Sequence, residues 1–488
     1  MGSSRSAWPT REGLGVGTAF NLIARFAFLF SSYALHIGLA RILGPAAYGV
    51  VGVVLSLVTI ARVFITDGTR QAISKFTAEN ETLASAIRNV ALRVQGLISV
   101  LVMLALMAGA GVLAQLLRDT TLAPYLRLVA PIVPIMSVFS IYQASLNGMR
   151  AFSRQATMMI VYSLGRVALS VLGAWLWGLN GALLGMLSAP IVAVGLGQSL
   201  LPVRRSQGTF VARRILIFSI PMVIFAAGTT LLTSLDLFFV KALLGQSAQV
   251  GQYTAAATVA QIPYYALLPL VDTLLPVTAS LLAEQKRDRA RQAIITGLRY
   301  GLMLLLPAAA LISATAPSLI TFLFSRAYSP AAGPLAVLIW GQTFYAFFSV
   351  LAALLTAEGK PLYAMTLALS MLPISALLNL VLVPRFGLLG AACATTSATL
   401  AGMAGSLVLV QRDFGAVFGA RSTLVITIAA LLSGAVAFCW RPRGLILVPA
   451  YLALWTLDVL LLWPLRELQK SDVLRAMGLV RSLSRREV

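Results

Sequence analysis

Fourteen apolar runs, each about 20 residues long, limit how this chain can fold more than any other feature. A helix of roughly that length crosses the hydrocarbon core of a bilayer. Hydrophobic residues make up 59% of the 488 residues and charged residues only 11%, against roughly a quarter in soluble domains. The pattern predicts an all-α polytopic membrane protein with about 14 transmembrane helices, numbered here as spans 1 to 14. Their centres lie near residues 28, 56, 103, 136, 167, 192, 226, 264, 308, 344, 372, 399, 430 and 456.

Composition also excludes several classes of protein. A net charge of +22 would suggest nucleic-acid binding in a soluble domain, but these basic residues lie between apolar runs and are better placed to meet membrane lipids. Cys393 and Cys439 are the only cysteines and His36 is the only histidine, so thiolate metal sites and Ser/His catalysis are excluded. No Walker A, G-x-S-x-G or H-E-x-x-H pattern occurs. We therefore expect no enzyme, no catalytic residues, no metal, no cofactor and no nucleic-acid partner.

The distribution of Lys and Arg predicts the orientation of the spans. The termini and the even-numbered loops hold 26 basic residues, the odd-numbered loops hold 8, and three more lie inside spans. The predicted location is the cell membrane (an inner or plasma membrane). By the positive-inside rule, both termini lie on its cytoplasmic side and the odd-numbered loops lie on its outer side. The cytoplasmic segments are then an N-terminus (1–12), a linker (203–214) and a basic tail (467–488).

The first six spans recur as spans 7 to 12. Asp67 and Glu79 recur at an offset of 205, as Asp272 and Glu284. Because six is even, the two repeats have the same orientation, which predicts two parallel six-helix lobes with a substrate site near the midplane. The lobes cover residues 13–202 and 215–411, and spans 13 and 14 (412–466) are two extra C-terminal helices. Small residues around spans 5 and 6 recur around spans 11 and 12: Gly148, Gly178, Gly181, Ser188 and Ala189 match Gly359, Gly387, Gly390, Ser397 and Ala398.

Polar residues form stripes along several spans at helical spacing. Ionisable groups inside a membrane are costly and normally face a cavity or a partner. The stripes in spans 1 and 8 each fall within about 60° of arc, and spans 1 and 2 of the first repeat correspond to spans 7 and 8 of the second. They are therefore the predicted walls of a central cavity. The stripes are Asn21, Arg25, Ser32 and His36 in span 1; Tyr162, Arg166 and Ser170 in span 5; Thr229, Thr233 and Asp236 in span 7; and Thr254, Thr258, Gln261, Tyr265 and Asp272 in span 8.

The predicted cavity differs in charge between the two lobes. The first lobe contributes cations and the second contributes carboxylates. Arginine suits phosphate oxygens because its planar fork donates two parallel hydrogen bonds. We expect the substrate-binding residues to be Asn21, Arg25, Arg62, Arg166, Gln261 and Tyr265, with Asp236 and Asp272 as candidates for binding a coupling ion.

Structural roles are open for several of these residues. Arg62 could extend to the cytoplasmic surface, and Arg166 could make a contact between helices. Asp236 could cap its helix or pair with Lys241. Asp272 lies towards the cytoplasmic end of its span. His36 is better explained by packing than by proton transfer.

Long stretches of the sequence resemble a known family. Residues 39–79 (LARILGPAAYGVVGVVLSLVTIARVFITDGTRQAISKFTAE) resemble the first repeat of polysaccharide-exporting flippases, and 219–245 with 250–276 are similar to their second repeat. Residues 355–392 (LTAEGKPLYAMTLALSMLPISALLNLVLVPRFGLLGAA) fit as well. The family comprises the O-antigen and oligosaccharide flippases of the multidrug/oligosaccharidyl-lipid/polysaccharide exporter superfamily, and the resemblance covers about residues 13 to 465.

The resemblance implies a MATE-like fold and a function in polysaccharide biosynthesis. The implied substrate is a polyprenyl-pyrophosphate-linked oligosaccharide, which moves from the cytoplasmic to the outer leaflet by alternating access. It also implies that Arg25 holds the pyrophosphate and that enzymes of glycan synthesis are possible partners. The best alternative is a multidrug or organic-cation antiporter of the same fold, which would need carboxylates to dominate its cavity. A membrane glycan polymerase fits less well, because the odd-numbered loops are short and poor in Asp and Glu; a scaffold for glycan synthesis is the remaining class.

Overall fold

A computed structural model describes residues 14–201 and 209–462 of this chain, and the regular structure within those residues is entirely helical. The predicted cytoplasmic N-terminus (1–12), the basic tail (467–488) and the first part of the linker lie outside the described residues. The all-α prediction is confirmed. The α-helices are α1 (Leu14–Glu79), α2 (Ala84–Leu116), α3 (Leu122–Val129), α4 (Ile132–Gly148), α5 (Phe152–Leu200), α6 (Ala212–Leu244), α7 (Ser247–Ala260), α8 (Ile262–Ala283), α9 (Arg287–Ala314), α10 (Ala316–Leu323), α11 (Ala332–Ala357), α12 (Pro361–Phe414), α13 (Ala420–Trp440) and α14 (Leu447–Leu462).

Three of these helices each contain two predicted spans. The 66 residues of α1 would extend for about 100 Å as a straight helix, more than three times the roughly 30 Å core of a bilayer. α1 is instead interrupted at Gly44, α5 at Trp177 and Gly178, and α12 at Gly387. The three glycines have positive φ angles, which residues with a Cβ rarely adopt. The described residues contain ten apolar helices long enough to cross a bilayer and the shorter α14. Because the three interrupted helices each count as two spans, this number agrees with the fourteen predicted spans.

Span 8 is also interrupted, in a way that the stripe analysis did not predict. We expected one straight helix through Thr258, Gln261 and Tyr265, but α7 ends at Ala260 and α8 begins at Ile262. The cause is Pro263, which lacks the N–H needed to continue the helical hydrogen bonds. The predicted single face of span 8 is therefore divided between two helices.

Backbone conformation supports the internal repeat and corrects one of its matches. Gly178 and Gly387, 209 residues apart, have nearly the same angles, with φ 59° and ψ −137° in the first and φ 58° and ψ −132° in the second. The turn before α12 has Gly359 at φ 85°, and the residue 209 positions earlier is Arg150, at φ 56°. Equivalent backbone hydrogen bonds close both turns. The counterpart of Gly359 is therefore Arg150, whereas Gly148 lies inside α4.

The chain divides into two compact units. Unit 1 comprises Met1–Ala255 with Val383–Gly387, and unit 2 comprises Ala256–Leu382 with Leu388–Val488. In unit 1, α1 packs along α5 and also contacts α4 and α6; in unit 2, α8 packs against α11 and α9, and α13 against α9. The predicted lobes (13–202 and 215–411) have different boundaries and stay a prediction.

The outer surface of the helices carries many large apolar side chains. Phe30 is 73% exposed and Trp175 is 74% exposed, and both lie in the middle of long apolar helices. A soluble protein rarely exposes so much apolar surface, whereas a helix in lipid requires it. Together with the ten helices long enough to cross a bilayer, this surface identifies a multi-pass membrane protein.

Candidate substrate-binding site

The guanidinium group of Arg166 lies between two aromatic rings inside unit 1. Its carbon lies 5.1 Å from the ring centroid of Phe28 on α1 and 5.5 Å from that of Tyr162 on α5. Its Nε and Nη2 atoms are buried and have no hydrogen-bond partner among the described residues. Contact with aromatic faces stabilises the charge by up to about 2 kcal/mol but does not satisfy the N–H donors. This part of unit 1 is therefore suited to an anionic hydrogen-bond acceptor.

Two other predicted residues lie on α1 close in sequence to Phe28. Arg25 is exposed and precedes Phe28 by about one helical turn, and Asn21, which is half-buried, precedes Arg25 by another turn. The packing of α1 along α5 thus brings the Asn21–Arg25 stripe to the same helix pair as Arg166. Whether they bind substrate together with Arg166 stays a prediction.

Arg62 occupies a different part of α1. It lies beyond the break at Gly44, is half-buried, and its backbone carbonyl accepts a 3.1 Å hydrogen bond from the hydroxyl of Thr66. Its part in substrate binding stays a prediction.

His36 is partnered by a tyrosine within the same helix. Its Nδ1 atom lies 2.9 Å from the hydroxyl of Tyr48, and the two rings meet edge to face with centroids 6.1 Å apart. Tyr48 is fully buried. This contact ties together the parts of α1 on either side of Gly44, which supports a packing role for His36.

Asp236 is a buried hydrogen-bond acceptor on α6. It is 5% exposed, its Oδ2 accepts a 2.6 Å hydrogen bond from the hydroxyl of Tyr253, and its Oδ1 accepts one from the backbone N–H of Leu237 at 2.8 Å. The suggested pairing with Lys241 is wrong, because Lys241 forms its ion pair with Asp119, at 2.5 Å. Lys241 lies more than one turn beyond Asp236, near the end of α6, where the loop carrying Asp119 reaches it.

The remaining predicted residues lie in unit 2. The hydroxyl of Tyr265 donates a hydrogen bond to the Oε1 atom of Gln261 at 3.3 Å, across the start of α8. Tyr264 extends this group, with its ring centroid 5.5 Å from that of Tyr265 and 5.2 Å from that of Tyr345 on α11. Asp272 is exposed two turns further along α8. Amide, hydroxyl and aromatic groups of this kind suit the hydroxyl groups and C–H faces of sugars.

No metal centre accompanies these groups. Within residues 14–201 and 209–462, no three His, Cys, Asp or Glu side chains are grouped so as to hold a metal ion. The groups described above could bind a substrate through hydrogen bonds, positive charge and aromatic rings.

Comparison with known proteins places the chain in a family. The profile of one family, described as polysaccharide biosynthesis protein, matches residues 38–333, more than half of the chain and including Arg62, Arg166 and Asp236. This chain belongs to the polysaccharide biosynthesis protein family. A comparison with curated protein sequences gives no match.

Three solved structures with the same fold are distant from this chain in sequence. The chain of the lipid II flippase MurJ in an inward closed conformation superposes with a TM-score of 0.75 at 14% identity, over 92% of this chain and 99% of that one. An inward-facing multidrug resistance MATE transporter gives 0.62 at 16% identity, over 84% and 97%. A transporter from Pyrococcus furiosus, whose binding pocket is described as having reverse polarity, gives 0.60 at 16%, over 83% and 97%. These matches establish that this member of the family has the MurJ and MATE fold.

Several residues around the candidate site have no signal in the sequence. Phe28 is an ordinary aromatic residue in an apolar run until the structure places Arg166 between its ring and that of Tyr162. Tyr253 follows Asp236 by 17 residues, a spacing with no helical meaning because the chain turns between them at Gly245. The helical phase of Tyr162 with Arg166 was the one usable signal, since residues four apart share a helix face.

Proposed function

We propose that this protein is a flippase that moves a polyprenyl-pyrophosphate-linked oligosaccharide from the cytoplasmic to the outer leaflet of the cell membrane, for the synthesis of a surface polysaccharide. Membership of the polysaccharide biosynthesis family and the fold of the lipid II flippase MurJ support this function. Translocation breaks no covalent bond, which is why we propose a transporter and not an enzyme. The enzymes that build and polymerise the glycan are the expected partners.

The single observation that carries the proposal is the guanidinium group of Arg166, in which Nε and Nη2 are buried. Two of its buried nitrogen atoms have no acceptor among the described residues. A buried charged donor without an acceptor costs about 1–3 kcal/mol or more, so a binding partner that supplies an acceptor gains this amount. A pyrophosphate supplies several acidic oxygens with the geometry that a guanidinium group prefers.

The other predicted residues take roles according to their chemistry. Asn21, Arg25 and Arg62 join Arg166 in holding the pyrophosphate, and Gln261 and Tyr265 bind sugar hydroxyl groups. The polyprenyl tail stays in lipid, where it needs no protein polar group. Alternating access of the two lobes moves the head group across the membrane. Asp236 and Asp272 are the candidate sites for a coupling ion. Both termini lie in the cytoplasm.

Mass spectrometry of lipid-linked sugars tests the proposal. A strain that lacks this protein is complemented with the wild type, with Arg166→Ala, with Arg166→Lys, or with Arg127→Ala as a matched control on the exposed surface of α3. We expect Arg166→Ala to accumulate one polyprenyl-pyrophosphate oligosaccharide at least about tenfold, because it loses one or more charge-assisted hydrogen bonds. Arg127→Ala should behave as the wild type, and Arg166→Lys should restore part of the flux.

The antiporter alternative predicts a different result. A buried carboxylate at Asp236 and the likeness to MATE transporters are the features that favour it. Under this alternative, the lipid-linked sugars stay unchanged in the deletion strain and sensitivity to cationic drugs rises. That outcome would overturn the flippase proposal.

A further inference from the structure

A buried ion pair closes one end of unit 1. The ammonium group of Lys241, in the last turn of α6, lies 2.5 Å from Oδ2 of Asp119, in the loop between α2 and α3. Lys241 is 1% exposed and Asp119 is 14% exposed. The hydroxyl of Ser247, at the start of α7, accepts from Lys241 at 2.7 Å and donates to the same carboxylate oxygen at 3.2 Å. The three side chains together are called the latch.

The helices next to the latch are in very close contact. A Cβ atom on Gly251 of α7 would lie 1.9 Å from the backbone oxygen of Pro45 on α1, and one on Gly49 would lie 2.0 Å from that of Ser247. Only glycine permits such an approach. One turn further, Gly52 faces the hydroxyl of Thr254, which would lie 2.5 Å from an added Cβ. The junction between α1 and α7 thus depends on glycine contacts, and the latch lies at the start of α7, where it connects α7 and α6 to the loop between α2 and α3.

Both arms of the latch lie on the side that faces outwards in the predicted topology. Asp119 lies in the third loop and Gly245 to Ser247 form the seventh, and odd-numbered loops are predicted to be extracytoplasmic. One arm belongs to the first predicted repeat (spans 3 and 4) and the other to the second (spans 7 and 8), and all three residues lie in unit 1. Outward release of cargo by alternating access of the two predicted lobes would separate these arms.

We propose that Asp119, Lys241 and Ser247 form a latch that holds the extracytoplasmic end of the transport path closed and must break during each cycle. The inference rests on the proposed transport function but not on the identity of the cargo. A buried pair suits this task because its charges stabilise the closed state only while they are together and regain hydration when they part. The glycine contacts involve no charged groups, so they alone do not favour the closed state in this way.

Cysteine accessibility tests the latch without any substrate. The two native cysteines are replaced by alanine, and Thr254→Cys provides a reporter about 10 Å beneath Ser247, two turns further along α7. A membrane-impermeant maleimide is added to intact spheroplasts that contain the full-length protein. The variants are Asp119→Asn, Lys241→Met, the double variant and Ser247→Ala, with Glu284→Gln as the control, because Glu284 forms an exposed ion pair with Lys286.

The expected result is slow labelling in the parent and in Glu284→Gln, and labelling at least about tenfold faster in Asp119→Asn, Lys241→Met and the double variant. Ser247→Ala should give a smaller increase. The double variant controls for unfolding as a cause of faster labelling, because it leaves no unpaired buried charge. Gel filtration and thermal unfolding check that this variant is folded. If the double variant folds and labels as slowly as the parent, or if all variants do, the latch is overturned.

The labelling result is separable from the proposed cargo. Faster labelling of the latch variants together with unchanged lipid-linked sugars in the deletion strain would support the latch and contradict the flippase proposal. Slow labelling in every variant together with accumulated lipid-linked sugars in the deletion strain would do the reverse.

Discussion

The hydroxyl of Tyr253 donates a 2.6 Å hydrogen bond to the carboxylate of Asp236, across the turn that joins α6 to α7. Both side chains are buried, and the second carboxylate oxygen accepts from the backbone N–H of Leu237. An ion that binds Asp236 must therefore compete with, or rearrange, an existing hydrogen bond. This relationship gives Asp236 a structural role that any coupling function has to accommodate.

Replacing Tyr253 by Phe should destabilise the protein without changing its shape. The substitution removes one hydroxyl and leaves Oδ2 of Asp236 without that donor, at a cost of about 1–3 kcal/mol. Thermal unfolding in detergent measures the loss. In the Asp236→Asn background the same Tyr253→Phe change should cost less, because a neutral amide oxygen needs the donor less; equal losses in both backgrounds would contradict the assigned bond.

Gly251→Ala should prevent α1 and α7 from packing as they do. The added Cβ would lie 1.9 Å from a backbone oxygen at Pro45, and backbone cannot move aside as a flexible side chain can. We expect a loss of at least about 2 kcal/mol, in the range of severe overpacking. Gly96→Ala in α2 is the matched control, because nothing lies within 4 Å of its added Cβ. The control should be neutral or more stable by up to about 1 kcal/mol, and a Gly251→Ala variant with wild-type stability would refute the contact.

Much of the fold follows from the sequence because hydrophobic length and backbone chemistry are local properties. Except for span 8, which is divided between α7 and α8, each apolar run of bilayer length became a helix or half of a long one. The breaks at Gly44 and Gly387 occur where glycine supplies a backbone that other residues resist. Pro263 is a local signal of the same kind, since its missing N–H predicts the interruption of span 8. A stripe analysis that assumes a straight helix overlooks this residue.

The contacts of the site depend on tertiary packing and could not be predicted. Asp119 and Lys241 are separated by 122 residues, and no pattern links a loop aspartate to one particular lysine. The sequence identified Arg166 as a polar residue in a span, but its burial between Phe28 and Tyr162 depends on how α5 lies along α1. The substrate roles of Asn21 and Arg25 stay predictions for the same reason.

Gly178→Ala and Gly387→Ala should have similar effects, because both glycines hold the same unusual backbone conformation. A residue with a Cβ is strained there by about 1–3 kcal/mol, although each added Cβ would meet no neighbouring atom within 4 Å. Thermal unfolding of both variants measures the strain. Gly195→Ala, in the same helix as Gly178 but without a positive φ, is the control and should not destabilise. A large loss at only one of the two glycines would argue that the breaks are not equivalent.

The latch should also make stability depend on pH in the acidic range. Burial alone would raise the pKa of Asp119, but the hydrogen bond and charge of Lys241, together with hydrogen bonds from Thr121, outweigh it and hold the pKa below its usual value near 4. A carboxyl group with a depressed folded-state pKa stabilises the protein above its unfolded-state pKa, and this contribution is lost as the pH falls through the folded-state value. We therefore expect the pair to stabilise the fold fully above about pH 5 and progressively less below about pH 4.

Thermal unfolding of the wild type and Asp119→Asn between pH 7 and pH 3 checks this dependence. At neutral pH, Asp119→Asn should be less stable by about 3 kcal/mol, because it leaves the buried ammonium group of Lys241 unpaired. The difference should shrink below about pH 4, where protonation removes the same charge from the wild type. The Asp119→Asn/Lys241→Met double variant carries neither charge and should lack this acid-dependent loss. If the difference in stability between the wild type and Asp119→Asn stays constant down to pH 3, the carboxylate of Asp119 does not stabilise the folded protein through its charge.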